Sequence, residues 1–283
     1  MSQPQIRIHQ IFYDERSRAL LDPGFIALDN TDNARPDWYE FWVIKRYLES
    51  HTLEDGAWYG FFSPKFGQKT GLRSADLKQF LVNGNDQFDV AFIATAFDQL
   101  AYFRNPFEQG EFWHPGISQL SQQVLDAIGC DVRIDDIVSH SYNFTFSNFI
   151  VAKPEYWRRW LEFAKRLFDF IEHSAEPLAQ AARQTTSYGS VANQAPLKTF
   201  IQERLPCVLM AAEPMRCMTI EDSVGFPIFN RVFAETKYTR ALLQTCNLLK
   251  AEYSIKKDPT LLDAYLRTRQ LIQLHPGFQH PGG

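Results

Sequence analysis

The stretch Tyr142–Glu176 constrains the fold of this chain more than any other segment. It opens with an aromatic and β-branched run, Phe144–Val151, which is typical of a buried strand. Lys153 and Pro154 end that run, because a proline disfavours helix before it and suits the first turn after it. From Trp157 to Ile171, apolar residues recur at helical spacing with charges between them, which predicts a long amphipathic helix. A strand that leads directly into such a helix is one half of an α/β layered domain.

Composition sets the size of the core and excludes some partners. The chain has 283 residues, of which 45% are hydrophobic and 14% aromatic, so a large core is expected and wholesale disorder is excluded. The 24 phenylalanines suggest aromatic-lined surfaces as well. The formal net charge is −4, and no block of like charges forms a basic face, so we expect no nucleic-acid partner.

Cysteine spacing and hydropathy indicate a cellular compartment. The four cysteines are far apart and form no CxxC pair, which argues against structural zinc and a disulfide framework. The first residues, MSQPQIRIHQ, lack the pattern of a secretory signal, and no apolar run reaches 18 residues. We therefore expect a cytoplasmic protein that can contact the inner membrane only peripherally.

Strand and helix signals alternate along the chain, which makes α/β the expected class. The further expected strands are Gln5–Tyr13, Phe25–Leu28, Trp58–Phe62, Phe88–Ala94 and Met215–Ile220. The further expected helices are Trp38–Leu48 with a capping box of Asp37 and Glu40, Ala75–Val82 capped by Ser74, Ile117–Ile128, Leu197–Ala212 interrupted at Pro206, Arg231–Lys250 and Leu261–Leu274. Residues 95–116 and 180–196 lack a helical or strand period and are expected to be long loops. We expect one domain over residues 1–220 and a helical extension over 221–283 that packs on it.

Several well-known catalytic motifs are absent from the sequence. It contains no GxxxxGK[ST], GxGxxG, GxSxG or HExxH. These absences disfavour P-loop NTPases, dinucleotide oxidoreductases, α/β-hydrolases and zincins.

The densest polar cluster is EQGEFWHPG, which holds Glu108, Gln109, Glu111 and His114. Two carboxylates and an imidazole so close together could bind a divalent ion or orient sugar hydroxyls. The alternative is a loop whose acids face solvent while its aromatic residues, Trp113 among them, pack inward.

Glu203 and Arg204 form a second candidate beside the interruption at Pro206. On a helical wheel Arg204 falls within the apolar arc and Glu203 points away from it. A buried arginine needs a carboxylate or phosphate partner. The pair is either a structural ion pair, or Glu203 is an acid/base group near a pocket and Arg204 braces it.

Six segments occur in an order that carries a family resemblance. They are LDNTDNARPDWYEFWVIKRYL (Leu28–Leu48), WYGFFSPKFGQKTGL (Trp58–Leu72), FDVAFI (Phe88–Ile93), EQGEFWHPGISQL (Glu108–Leu120), SNFIVAKPEYWRRWLEF (Ser147–Phe163) and FIQERLPCVLM (Phe200–Met210). In this order they resemble a family of bacterial glycosyltransferase-like proteins of capsule and O-antigen gene clusters. The resemblance covers roughly residues 5–215.

The resemblance implies a GT-A-like, Rossmann-like mixed sheet that binds a nucleotide-sugar and passes the sugar to a hydroxyl of a glycan or glycolipid. It implies catalytic roles for Glu203 and Glu108, with Glu203 deprotonating the acceptor. The implied nucleotide-sugar ligands are His9, Gln10, Asp29, Asn30, Lys65, Lys69 and Arg73, and the implied sugar or acceptor ligands are Gln109, Glu111, Trp113, His114, Asn148 and Arg204. Taken alone, His9 is more typical of a core histidine than of a ligand, and Asp29 and Asn30 are more typical of an Asx turn.

One departure from the family pattern concerns the metal. GT-A enzymes hold manganese or magnesium with Asp-x-Asp, and this chain has no such triplet. Either a divergent set binds the metal (Asp89, Glu108, His114, or the Asp135 and Asp136 pair), or basic residues replace it, or activity is lost.

Two other functions stay open at this point. A non-catalytic carbohydrate-binding or assembly subunit would use the same aromatic segments, and a hydrolase would use Glu108 and Glu111 as a carboxylate pair. The C-terminal helices could also mediate self-association, so a homo-oligomer is a further hypothesis.

Overall fold

The elements of the fold follow the alternation of strands and helices along the chain. The computed structural model describes residues 4–84, 87–188, 190–220, 233, 236–276 and 278. The strands are β1 (Ile6–Phe12), β2 (Ile26–Asp29), β3 (Trp58–Phe62), β4 (Val90–Ile93), β5 (Ile150–Ala152), β6 (Thr185–Tyr188), β7 (Ser190–Pro196) and β8 (Cys217–Ile220). The α-helices are α1 (Glu15–Arg18), α2 (Tyr39–Ser50), α3 (Phe66–Thr70), α4 (Ser74–Gly84), α5 (Phe97–Tyr102), α6 (Pro106–Trp113), α7 (Ile117–Ala127), α8 (Pro154–His173), α9 (Pro177–Arg183), α10 (Leu197–Gln202), α11 (Leu205–Ala212), α12 (Lys237–Lys256) and α13 (Pro259–Gln273).

A mixed sheet of six strands in the described chain organises the fold. Its order is β2-β1-β3-β5-β4-β8, and β5 runs antiparallel to both of its neighbours. The other strand pairs of this sheet are parallel. The chain is therefore an α/β protein, as the sequence predicted, and the mixed sheet flanked by helices is compatible with a Rossmann-like fold.

Both faces of the sheet are buried because successive side chains point to opposite sides. On one face, Tyr59 and Phe61 pack in a core with α2 and α8. On the other face, Trp58 and Phe62 pack with α3 and α4. Each fully buried aromatic side chain contributes about 1.5–3 kcal/mol to stability, so these alternating aromatics anchor the layers.

The strand and helix predicted from Tyr142–Glu176 are confirmed, although the strand is shorter than predicted. Helix α8 buries the predicted apolar stripe, and the indole N–H of Trp157 donates to the backbone oxygen of Tyr59 at 3.0 Å. The ladder with β4 ends at Ile150. At the next position only one backbone hydrogen bond remains, from the amide of Ile93 to the carbonyl oxygen of Phe149, and the hydroxyl of Thr145 donates to the carbonyl oxygen of Ile93.

The prediction of a long loop over residues 95–116 is wrong. This segment forms α5 and α6, and the side chain of Asn105 caps α6 by accepting from the amides of Phe107 and Glu108. Pro106 follows as the first helical residue, where its missing N–H costs no hydrogen bond. The sequence of α5 shows no helical hydrophobic period, because every side chain of this helix is buried and none forms a polar face.

Two other predictions need correction. Residues 180–196 are not a loop, since they hold the end of α9 and the antiparallel pair β6–β7. The capping box is also wrong: no side chain caps α2, Asp37 accepts from Arg35 and Lys198, and Glu40 accepts from Tyr13. The predicted interruption of the helix Leu197–Ala212 is confirmed, with α10 ending at Gln202 and α11 beginning at Leu205.

The C-terminal helices α12 and α13 pack on each other and on α5. The ammonium group of Lys250, a fully buried residue, donates to the carbonyl oxygens of Leu100 and Phe103 at the end of α5. The hydroxyl of Tyr265 donates to the carbonyl oxygen of Tyr102 at 2.7 Å. The start of the predicted helix at Arg231 lies outside the described residues, within which α12 begins at Lys237.

Among the described residues, no helix combines the length and the apolar character that a membrane crossing requires.

Candidate functional site

The order of the strands defines a crevice at the carboxyl edge of the sheet. Strand β1 lies between β2 and β3, so the connection after β1 and the connection after β3 leave toward opposite sides. Ligands of open α/β sheets bind in the crevice outside the carboxyl ends of the strands at such a switch point. In this chain the crevice lies between Tyr13, which follows β1, and Ser63, which follows β3.

Two carboxylates approach this crevice from different helices. The hydroxyl of Tyr13 donates to one carboxylate oxygen of Glu40, in the first turn of α2, at 2.7 Å. Glu203, at the carboxyl end of α10, lies deep in the protein but keeps part of its surface in contact with solvent. Burial raises the pKa of Glu203, the neighbouring guanidinium of Arg204 opposes this rise, and the carboxylate of Glu40 adds to it.

A lysine supplies positive charge to the same group. The ammonium of Lys69, in the last turn of α3, donates to the hydroxyl of Ser147 at 3.1 Å and lies 5.7 Å from the ring centre of Phe149. Its charge also acts on Glu203, whose pKa it lowers. Five separate segments therefore bring a phenol, two carboxylates, an ammonium and a hydroxyl to one edge of the sheet.

The backbone around this edge adopts unusual conformations. Ala96 follows β4 with φ 52°, and Ser147 and Asn148 precede β5 with φ 64° and 54°. Tyr39, the first residue of α2, has φ 48°. Positive φ costs of order 1–3 kcal/mol for a residue with a side chain, and such strain clusters at functional sites. The strained backbone supports a functional assignment of this edge.

Arg204 points inward as predicted, but its partners differ from those expected. Its guanidinium donates to the carbonyl oxygens of Pro106 and Phe200 and to the side-chain oxygen of Gln109, at 2.6–2.9 Å. A Cβ atom added at Gly110 would lie 2.7 Å from Nη2 of Arg204, so only glycine leaves room for the guanidinium at this position. The expected carboxylate or phosphate is replaced by three neutral oxygens, and both Gln109 and Arg204 serve as internal support.

His114 and Trp113 lie at the end of α6. The ring of buried His114 lies 4.0 Å from the ring of Phe200, and its Nδ1 has no hydrogen-bond partner within the described chain. Burial lowers the pKa of His114, and the charge of Arg204 lowers it further, so the imidazole is neutral near pH 7. Trp113 is 42% exposed and contacts Phe112.

The two acidic residues of α6 have structural partners. Both oxygens of Glu108 are engaged, one by the amide of Arg104 and one by the guanidinium of Arg269 at 2.6 Å. The carboxylate of Glu111 accepts from the amides of Gly116 and Ser118 at the start of α7. Burial would raise the pKa of Glu111, but these amides outweigh it and lower the pKa. These contacts disfavour a catalytic role for Glu108 and the carboxylate pair of a hydrolase.

The residues predicted from β1 and β2 are mostly structural. The ring of His9 stacks on Phe61 in the core, and burial lowers the pKa of His9 to about 4. The side chain of Gln10 joins the loop after β3 to the amide of Asp22. Asp29 caps its own turn, and the buried amide of Asn30 accepts from Arg46 at 3.3 Å.

Of the three remaining predicted ligands, two lie near the edge. Lys65 precedes α3, one helical turn before Lys69, and is exposed. Asn148 is buried beside Ser147. Arg73 lies with Gln10 on the wall of a separate cavity of about 660 Å³.

A larger cavity, of about 1120 Å³, lies elsewhere. Segment 129–143, the end of α11 and the second half of α12 form most of its walls. Asp136 of the candidate metal pair lines this cavity, whereas none of the predicted catalytic, nucleotide-sugar or acceptor residues does.

The expected manganese or magnesium site was tested against the donor groups. No group of three or more His, Cys, Asp or Glu side chains that could hold a metal ion occurs in the described ranges. Asp89 pairs with Arg216 at 2.9 Å, and Asp135 and Asp136 are exposed in a short turn. Among the described residues, no cluster of these side chains therefore fits the expected metal.

Sequence reasoning missed three members of this group: Tyr13, Glu40 and Ser147. Tyr13 could have been found, because it directly follows the first predicted strand. Glu40 was assigned to a helix cap. Ser147 reaches this edge only because β5 lies antiparallel beside β3, and the sequence has no local signal for that pairing.

Comparison of the chain with models of protein families, with curated proteins and with solved structures finds no match.

Proposed function

We propose that this protein is a glycosyltransferase that moves a sugar from a nucleotide-sugar to a hydroxyl of a glycan or glycolipid in surface polysaccharide synthesis. The observation that carries the proposal is that Glu40, held by Tyr13, and Lys69, held by Ser147, both act electrostatically on Glu203 at the carboxyl edge of the sheet. A GT-A-like fold is part of the proposal, and the mixed six-stranded sheet supports it. Peripheral contact with the inner membrane and self-association are further parts that exposed Leu248 and Ile255 on α12 favour.

Glu203 is the proposed general base. Its raised pKa increases its affinity for a proton, while contact with solvent leaves the carboxylate open to an acceptor. In the proposed step, Glu203 takes the proton of the acceptor hydroxyl and that oxygen bonds to the anomeric carbon. The bond from this carbon to the diphosphate oxygen breaks, and its electron pair leaves with the nucleoside diphosphate. The charge of Lys69 stabilises this leaving group.

Glu40 and Tyr13 are the proposed positioning residues. The phenol of Tyr13 fixes one oxygen of Glu40, and the other oxygen has no partner in the described part of the chain. That free oxygen can accept a hydrogen bond from a sugar hydroxyl. The negative charge of Glu40 also raises the pKa of Glu203.

A panel of nucleotide-sugars tests the proposal. We expect at least one of UDP-glucose, UDP-N-acetylglucosamine, GDP-mannose or dTDP-glucose to raise the Tm and to be slowly hydrolysed or transferred, as mass spectrometry would show. Glu203→Gln should lower the rate by about 10²–10⁴-fold, because the general base is lost, while the Tm shift remains. Glu162→Gln, an exposed change on α8, is the matched control. No Tm shift and no product with any donor would count against the proposal.

A non-catalytic carbohydrate-binding subunit is the second candidate. The absence of Asp-x-Asp, together with the lack of a metal-binding group in the residues described, favours it. Saccharide binding without turnover of any donor, and unchanged in Glu203→Gln, would select this candidate.

A further inference from the structure

Three consecutive backbone amides at the carboxyl edge lack acceptors. Neither Ser147 nor Asn148 nor Phe149 donates a backbone hydrogen bond to any described part of the chain. Opposite Phe149, the amide of Ile93 donates to the carbonyl oxygen of Phe149 at 3.0 Å, but the carbonyl oxygen of Ile93 accepts from the hydroxyl of Thr145 and not from the amide of Phe149. Unpaired backbone amides are costly where water is restricted, so a cluster of them indicates a place for an external acceptor.

Two lysine side chains, Lys65 and Lys69, bring positive charge to the edge that holds these amides. The ammonium of Lys69 is held 3.1 Å from the hydroxyl of Ser147. Lys65 lies one helical turn earlier, on the same side of α3, because residues four apart are neighbours on a helix. Neither lysine has a carboxylate partner among the described ion pairs. Backbone amides, a hydroxyl and ammonium groups together are the donors that phosphate oxygens take.

We propose that the turn Ser147–Phe149 and the side chain of Lys69 form a metal-independent binding site for a diphosphate group. As the site of the donor diphosphate, this inference rests on the proposed function. The left-handed backbone of Ser147 and Asn148 sets the direction of the amides, and Lys69 supplies the charge that a metal ion would otherwise supply. The turn lies at the carboxyl edge of the sheet and contacts Lys69, whose charge acts on Glu203, so a diphosphate bound here lies on the side of the base where the leaving group departs.

Inorganic pyrophosphate and UDP are the probes, measured by isothermal titration in EDTA and again with MgCl₂. We expect both to bind in EDTA, with affinities within about threefold of those in magnesium, because the donors belong to the protein. Lys69→Met should weaken both by about 10–100-fold through loss of a charge-assisted contact, and Lys69→Arg by much less. Ser147→Ala should weaken them about three- to tenfold. Lys78→Met removes an exposed lysine of α4 and should change nothing.

Two results would overturn the inference: binding of pyrophosphate only when magnesium is present, or equal affinities in Lys69→Met and Lys78→Met. Thermal unfolding of each variant shows that it is folded, and Lys69 is exposed, so its replacement spares the core. If Lys69→Met abolishes pyrophosphate binding but no donor is ever turned over, the anion site stands and the glycosyltransferase proposal falls. If sugar transfer occurs and Lys69→Met binds UDP normally, the glycosyltransferase proposal stands and the anion site falls.

Discussion

Arg204 links the helices behind the site to the proposed general base, Glu203. It is buried, its charge is held by neutral oxygens of α6 and α10, and it lies next to the proposed base. Its charge lowers the pKa of Glu203 against the effect of burial. Without that charge, the carboxylate would bind its proton more tightly and act as a base only at higher pH.

Gly110→Ala tests this link at the residue scale. The new methyl group would lie 2.7 Å from Nη2 of Arg204 and would displace the guanidinium. We expect a loss of about 1–3 kcal/mol in the free energy of unfolding, measured by urea titration. The acid limb of the pH–rate profile should move to higher pH, because the pKa of Glu203 rises when the charge of Arg204 is displaced.

Gly67→Ala is the matched control, since the nearest atom to its new Cβ is 3.7 Å away. Gly67→Ala should leave the acid limb of the pH–rate profile at the same pH as in wild type. A profile that is the same in Gly110→Ala and wild type would show that Arg204 does not act on the base.

Side-chain roles were only partly predictable from the sequence. Helical periodicity predicted that Arg204 points inward, because direction on a helix is a local property. Its partners were not predictable, since Pro106 and Gln109 lie nearly a hundred positions away in the chain. Glu40 was misassigned for the same reason: its partner Tyr13 follows β1 and lies outside the helix that holds Glu40.

At the scale of elements, the contact between α12 and α5 depends on a buried cation. Lys250 is fully buried, its acceptors are the last carbonyl oxygens of α5, and burial lowers its pKa to about 7. The unfolded chain holds this proton up to its ordinary pKa near 10.5. Between these two values the unfolded state binds more protons, so this group makes stability rise with pH from about 7 to about 10.

Lys250→Met should remove that trend. We expect the difference in Tm between wild type and variant to grow in favour of wild type as the pH is raised from 7 to 10, measured by differential scanning calorimetry. Lys237→Met is an exposed change on α12, and its Tm should change with pH in parallel with that of wild type. Parallel curves for wild type and Lys250→Met would contradict the assignment.

Elements with a strong local signal were predictable, and two short helices without a polar face were not. Strand β3 was recognised as a compact aromatic run, strand β4 as a continuous apolar run, and helix α8 from its amphipathic stripe. Helices α5 and α6 were missed because their polar residues are also buried or bound, which removes the period. The cap of α6, Asn105 followed by Pro106, was visible in the sequence and would have revealed that helix.

At the scale of the whole molecule, the placement of β5 creates the site. The sequence predicted an α/β chain but contained no local signal for strand order. Because β5 enters antiparallel between β3 and β4, the turn before it reaches the same edge at which β1 and β3 end. Ser147 thereby meets Lys69, 78 positions earlier in the chain.

A crystal structure with a bound donor from the nucleotide-sugar panel is the most direct test of the central claim. The account predicts the diphosphate within hydrogen-bond distance of Lys69 and the amides of Ser147–Phe149, with the anomeric carbon facing Glu203. A donor bound instead in the 1120 Å³ cavity between segment 129–143 and α12, or away from Glu203, would contradict it.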